Sequence, residues 1–225
     1  MRVPWKASLL VLALSLSASA QEGCLKLDKD SYLKNSDTLG LVLLEVNWGT
    51  RWRCGGYDNA QLKRLIFSPY SDGAIQRNRP ELVVRAPSGR YCDDGYTPLA
   101  LLVEPGAYAL SEFKIQTSRS IGDLGHMVAT EENLFRDGKP TGGTFWIRAG
   151  EIVYIGHFSL ECKNRVCPQR TYLENREAFE QYVADFRGAF PYTASKPVEY
   201  RLFDTKMLGQ PFKLANPTVE ASDAP

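Results

Sequence analysis

Leu102-Val-Glu-Pro-Gly-Ala-Tyr-Ala-Leu110 and, after a spacer, Phe145-Trp-Ile-Arg-Ala-Gly-Glu-Ile-Val-Tyr-Ile-Gly-His-Phe158 are each a pair of apolar runs of strand length broken by a turn dipeptide. Pro105-Gly106 suits the centre of a type II turn, because proline presets φ and glycine accepts the positive φ that follows. This predicts that Leu99 to Val103 and Ala107 to Gln116 are neighbouring antiparallel strands. Ala149-Gly150 in the same way predicts a tight hairpin between Thr144 to Arg148 and Glu151 to Leu160. In the later strand, side-chain alternation places Ile152, Tyr154, Gly156 and Phe158 on one face and Val153, Ile155 and His157 on the other.

Outward from these pairs, apolar runs bounded by Gly, Pro, Asn and Asp recur at strand length. Thr38 to Trp48 is the longest, and its nearly continuous Leu-Val-Leu-Leu core predicts a strand covered on both faces. Lys63 to Phe67, Glu81 to Ala86 and a last run, Val198 to Phe203, complete the set. One helix interrupts them. Between Asn175 and Ala189, Phe179, Tyr182, Val183, Phe186 and Phe190 recur at steps of three and four, which makes a single apolar stripe. Asn175 is its expected N-cap, and Gly188 with Pro191 its stop. Its polar face mixes both charge signs, which argues for a helix laid on a sheet rather than on a membrane. The predicted fold is mainly β: an antiparallel β-sandwich with one C-terminal amphipathic helix, about 175–190, packed on it.

The N-terminus reads as an export signal: cationic Arg2 and Lys6, an apolar run from Ala7 to Leu16, and Ala18-Ser19-Ala20 as a small-x-small cleavage site. Cleavage after Ala20 leaves 205 of the 225 residues. That is enough for one domain with a substantial core, expected over 21–210. The tail at 211–225, with Pro211, Pro217 and acidic residues, is expected to be loose. Losing Arg2 and Lys6 takes the basic residues from 27 to 25 against 26 acidic ones, a net charge of −1 that points to neither nucleic acid nor anionic lipid.

All five cysteines lie in the mature part, bound for a compartment where disulfides persist. Cys162 and Cys167 flank the tip of a predicted hairpin and are expected to pair. Cys54 and Cys92, each in a loop leaving a strand, form the second expected bond. Cys24 is left over: a free thiol, an intermolecular bridge, or a lipid anchor. Gln21 and Glu22 before it fit a lipid-attachment box poorly, so membrane association is expected only if Cys24 is lipidated. The compartment expected is the bacterial periplasm or the medium, with an outer-membrane lipoprotein as the alternative.

The run Leu101 to Leu110, followed by Phe145 to Gly156, resembles a widespread domain of unknown function in bacterial exported proteins and lipoproteins. The likeness spans roughly 99–190. It implies a small transthyretin-like β-sandwich and carries over no catalytic motif.

Catalysis finds little support. With two histidines in the chain, a nucleophile–histidine arrangement would have to use His126, in an expected loop, or His157, an expected half-buried packing residue. Gly-x-Ser-x-Gly, His-Glu-x-x-His, P-loop, dinucleotide and Cys-x-x-Cys patterns are absent. Asp28-Lys-Asp30 and Asp93-Asp94 do not follow a calcium-loop spacing and read as solvated surface. No cofactor and no metal site is expected, and a carboxylate pair acting on a glycan has no positive sign.

Recognition is better supported. Asn47-Trp-Gly-Thr-Arg-Trp-Arg-Cys-Gly-Gly-Tyr57 brings Trp48, Arg51, Trp52, Arg53 and Tyr57 into one stretch, and Trp, Tyr and Arg are the residues enriched at binding hot spots. The same aromatics could instead cap an open end of the sandwich, with Cys54 pinning the loop. Two expectations follow. One is a non-enzymatic exported protein that binds another protein of the cell envelope, as an inhibitor or immunity partner of a secreted toxin would. The other is a cell-wall glycan-binding or hydrolytic protein.

Overall fold

The central strand of the molecule is the Leu-Val-Leu-Leu run, and what covers its two faces defines the architecture. The structure is a computed structural model that describes residues 27–87, 95–120, 122–163 and 166–208. In chain order these residues form α1 (Lys29–Asn35), β1 (Gly40–Asn47), β2 (Arg51–Cys54), β3 (Tyr57–Ser71), β4 (Ala74–Ile75), β5 (Leu82–Arg85), β6 (Tyr96–Val103), β7 (Gly106–Ser120), β8 (Asp123–Ala129), α2 (Glu131–Leu134), β9 (Phe135–Arg136), β10 (Lys139–Pro140), β11 (Thr144–Ile147), β12 (Ile152–Glu161), β13 (Cys167–Thr171), α3 (Arg176–Ala189) and β14 (Val198–Tyr200), with a 3₁₀ turn at Pro191–Thr193. The expected signal segment, Cys24, Cys92, Asp93-Asp94 and the tail beyond Gln210 lie outside the described residues.

Two sheets pack face to face. Sheet A runs β13-β12-β1-β6 with β14 also on β12; sheet B runs β11-β7-β3-β2, with β4 and β5 on β3 and β8 on β7. Val42, Leu44, Val46 and Trp48 point from β1 into the core between them, meeting Leu62, Leu65, Phe67, Leu110 and Ile115 of sheet B. Leu41 and Leu43, the alternate residues of β1, face the other way, onto Tyr32 of α1 and Phe179, Phe186 and Phe190 at α3. The predicted sandwich with a covering helix is the observed fold, and β1 is buried on both faces as its sequence implies. Sheet A is mixed rather than wholly antiparallel: β12 runs parallel to both β1 and β14. The helix begins as read from the sequence, with Asn175 Oδ1 accepting from the Ala178 amide at 2.8 Å.

The two turn-punctuated pairs behave differently from expectation. β6 bonds to β1 in sheet A while β7 bonds to β3 in sheet B, so Pro105-Gly106 carries the chain from one sheet to the other instead of closing a hairpin. Arg79 braces this corner, donating to Glu104 Oε2 at 3.0 Å and to the Pro105 carbonyl at 2.7 Å. Ala149-Gly150 is a second crossing, since β11 lies on β7 and β12 on β1. Each corner takes a glycine at positive φ, +142° at Gly106 and +78° at Gly150, but turn chemistry fixes only the local path and leaves the choice of strand partner to the core.

Three further corrections concern local detail. Alternation along β12 breaks at Gly156, whose φ is +110°: Leu43 faces Tyr154 and Glu45 faces His157, so β12 carries one extra residue against β1. Beyond this bulge Phe158 joins Val153 and Ile155 in the core, and His157 turns to the helix side with Tyr154. Gly122 to His126, expected as a loop, leads into β8, with His126 exposed on that strand. Among the described residues the disulfide is Cys54–Cys162, across a separation of 108 residues, in place of Cys54–Cys92 and Cys162–Cys167. The β12–β13 hairpin exists, but its register sets Cys167 opposite Glu161, leaving Cys162 one residue out of step and free to reach the end of β2. Among the described residues no helix is long and apolar enough to cross a membrane.

Candidate functional site

The segment singled out for its aromatics and arginines divides in three. Trp48 is buried in the core between the sheets, its carbonyl accepting from Gln61 Nε2 at 2.7 Å. Tyr57 is half-buried, with the Arg119 guanidinium 5.4 Å from its ring centroid. Arg51, Trp52 and Arg53 are exposed on β2, and the next residue, Cys54, is fully buried and bonded to Cys162 at the end of β12. The hairpin that carries Trp52 is thus tied by its backbone ladder to sheet B and by sulfur to sheet A.

Trp52 is 74% exposed, and no ring or guanidinium contact among the described residues engages it. Trp146, the other exposed tryptophan among the described residues, is different: the Arg201 and Arg148 guanidiniums lie 3.6 and 4.7 Å from its ring centroid, and Glu151 holds both arginines. Trp146 is satisfied within the fold, whereas Trp52 is not.

Register extends the patch beyond that segment. Trp52 pairs with Asn59, Asn59 with Ser118, and Ser118 with Leu124, so Trp52 and Leu124 share one lateral row on the face of sheet B that turns away from the core. Two rows along, Arg85, Arg64, Lys114 and Val128 lie side by side on the same face. Leu124 and Val128 are 65% and 47% exposed. Of the three cations in that row only Arg64 has a carboxylate partner among the described residues, Glu112. The strands of this sheet carry Arg51, Arg53, Lys63, Arg64, Arg85, Lys114 and Arg119 against Asp58, Glu112 and Asp123. A chain near neutrality overall therefore has one sheet whose strands are rich in cations, three of which, Arg85, Arg64 and Lys114, share a row on its outer face. No motif marks it, because its members come from four strands and meet only through pairing.

A second cluster lies on the helix side of sheet A. Glu45 of β1 stands between Pro98 of β6 and, because of the Gly156 bulge, His157 of β12. Glu45 Oε2 lies 3.3 Å from His157 Nε2, but the contact lacks hydrogen-bond geometry and Nε2 is buried without a partner. Burial pushes the Glu45 carboxyl up to about 7 and the His157 imidazole down to about 4, so from pH 4 to 7 the pair is a neutral acid beside a neutral ring. The rings of Tyr96, Tyr154 and Tyr182 surround His157. His157 is the strand packing residue expected, but Glu45 was missed. Its only sign in the sequence is an acid inside Leu-Val-Leu-Leu-Glu-Val, where a run otherwise reads as buried. Among the described residues no cluster of His, Cys, Asp and Glu could hold a metal ion.

Comparison with known proteins gives no match among family models, curated proteins or solved structures.

Proposed function

We infer that this chain is an exported, non-enzymatic binding protein of the bacterial cell envelope, one that grips an acidic surface of another protein with the bare face of sheet B. An inhibitor or immunity partner of a secreted toxin is the role that fits such a face. The observation that carries the reading is the Trp52 hairpin: a largely exposed tryptophan between two exposed arginines, held rigid by a buried disulfide. Rigid aromatic and arginine side chains lose little entropy on docking, which is why they dominate interface energetics.

The Arg85–Arg64–Lys114 row supports an acidic partner. Like charges directly opposite across strands destabilise a sheet by tenths of a kcal/mol, a cost that an incoming carboxylate surface would reverse. The disulfide and the secretory pattern of residues 1–20 support an oxidising compartment after cleavage behind Ala20.

The test is affinity capture from an envelope extract with the mature chain, Trp52→Ala, Arg53→Ala and Lys114→Glu. Trp52 and Arg53 are exposed and Lys114 is half-buried on the outer face, positions where a substitution should change folding stability by less than about 0.5 kcal/mol. Loss of one captured protein in all three variants, with denaturation midpoints unchanged, is the expected result. Unchanged capture removes the face from consideration, and capture of wall glycan in place of protein shifts the function to a glycan reader.

A further inference from the structure

The cleft beside Glu45 has a composition that the protein-binding role does not use. It is a cavity of about 260 Å³ between β6 and α3, with Ala100, Phe186 and Phe190 as apolar wall, Tyr96 and Tyr182 as aromatic flanks, and carboxylates from Glu45 inside and Asp185 at the mouth. Its volume suits a ligand smaller than a typical drug-sized molecule. Both charged residues of the lining are acids. Asp185, exposed on α3, accepts from Gln181 Nε2 at 2.8 Å. Among the described residues Glu45 has no comparable donor, and from β12 it is faced by the poorly aimed His157 and by Tyr154.

We propose that this cleft is a binding site for a small organic cation, a protonated amine on a compact apolar body, with Glu45 as its counter-ion. The ammonium group supplies what the fold withholds from Glu45, a positive charge and hydrogen-bond donors within a desolvated pocket. Tyr96 and Tyr182 flank the same space, where ring faces attract a cation, and the apolar wall takes the hydrocarbon. Asp185 adds a second, solvated carboxylate at the entrance. His157 remains neutral, so the site presents no competing cation. A neutral sugar or alcohol would leave Glu45 uncompensated, and an anion would meet two carboxylates.

The groups facing Glu45 are His157 and Tyr154 from β12, Tyr96 from β6, and Tyr182 and Asp185 from α3. Burial pushes the Tyr154 and Tyr182 hydroxyls up and the His157 imidazole down to about 4, so the pH dependence of cation binding between 5 and 8 belongs to Glu45. Binding needs the ionised carboxylate. Affinity should therefore be level above about pH 7 and fall about tenfold per unit below it.

Cyclohexylamine, with cyclohexanol as its uncharged analogue, tests this by amide chemical-shift titration of the mature protein at pH 8. The expected result is saturable shifts in β6 and α3 with the amine, at least tenfold weaker binding of the alcohol, and at least tenfold loss of amine affinity in Glu45→Gln. Asp185→Asn, an exposed change that leaves the core untouched, should weaken the amine severalfold. Glu45→Gln removes a half-buried carboxyl and keeps its shape, so its spectrum should report a folded chain. No amine shifts at millimolar concentration, equal binding of the alcohol, or full amine affinity in a folded Glu45→Gln protein would each overturn the proposal. The Trp52 face is on the other sheet, so its failure or success leaves these outcomes unchanged.

Discussion

Sheet A is covered on both faces and sheet B on one, and the two sheets hold charge in opposite ways. On the outer face of sheet B, Arg64, Arg85 and Lys114 stand in one row, part-exposed to exposed, with their repulsion weakened by water and by Glu112 beside Arg64. On the helix side of sheet A, Glu45 and His157 have lost most of their water, and burial holds both uncharged near pH 6. Similar side chains thus become different chemistry. Cations in contact with water are available to a partner, whereas a covered carboxyl waits for something that can compensate its charge. The cover itself, α3 and the bulge at Gly156, makes the difference.

The sharpest way to break the comparison is to cut the link between the sheets. Cys54 ends β2 of sheet B and Cys162 follows β12 of sheet A, so their bond, beside a backbone hydrogen bond from the Gly55 amide to the Cys162 carbonyl at 3.0 Å, closes a loop across a separation of 108 residues. Chain entropy in the unfolded state puts its contribution at about 5 kcal/mol. The double variant Cys54→Ala/Cys162→Ala should lose that amount in urea denaturation, and a loss below about 1 kcal/mol would mean the sheets hold together without it.

A smaller effect is expected at the bulge that distinguishes the covered face. Gly156 has φ +110°, and a Cβ there would sit 2.9 Å from the Thr171 carbonyl oxygen and 3.1 Å from Arg170 Cδ, which is itself buried. Gly156→Ala must either strain the backbone or straighten β12, at a cost of about 2 to 3 kcal/mol. Straightening would return His157 toward the core and separate it from Glu45, which the imidazole resonances would register. A denaturation midpoint equal to wild type would show that the bulge does not need glycine.

Much of this contrast was legible in the sequence, though unevenly. β1 announced cover on both faces because Leu41 to Leu44 leaves no polar side, and α3 announced itself through the spacing of Phe179, Tyr182, Val183 and Phe186. These are local periodicities, and burial follows them directly. Pro105-Gly106 and Ala149-Gly150 were read as hairpins because a turn dipeptide looks the same whether the chain returns to its own sheet or crosses to the other. The partner choice, β7 on β3 and β12 on β1, depends on contacts far along the chain. The disulfide failed for the same reason, since the nearest cysteine was one residue out of register. The basic row of Arg85, Arg64 and Lys114 and the pairing of Glu45 with His157 are products of that topology. No window of sequence holds either, and period-two counting past Gly156 assigned His157 to the wrong face.

The finest test uses the buried pair itself, whose two members should conceal each other. Glu45, at about 7 in the folded chain against 4.5 ordinarily, adds stability in full below pH 4.5 and loses it as pH rises through 7. His157, at about 4 against 6.5, adds stability in full above pH 6.5 and loses it as pH falls through 4. The windows overlap and the slopes are opposite, so in the wild-type protein this pair contributes almost no pH dependence between 4.5 and 6.5. Removing either member uncovers the other. Relative to wild type, Glu45→Gln should gain stability as pH rises from 4.5 to 7.5, and His157→Gln should gain it as pH falls over the same range. Each change should be on the order of 2 kcal/mol. Taking differences from wild type at each pH cancels the remaining carboxylates, which are common to all three proteins. Parallel curves for the three would mean that water reaches the pair, and the covered face would then treat its charges as the bare face does.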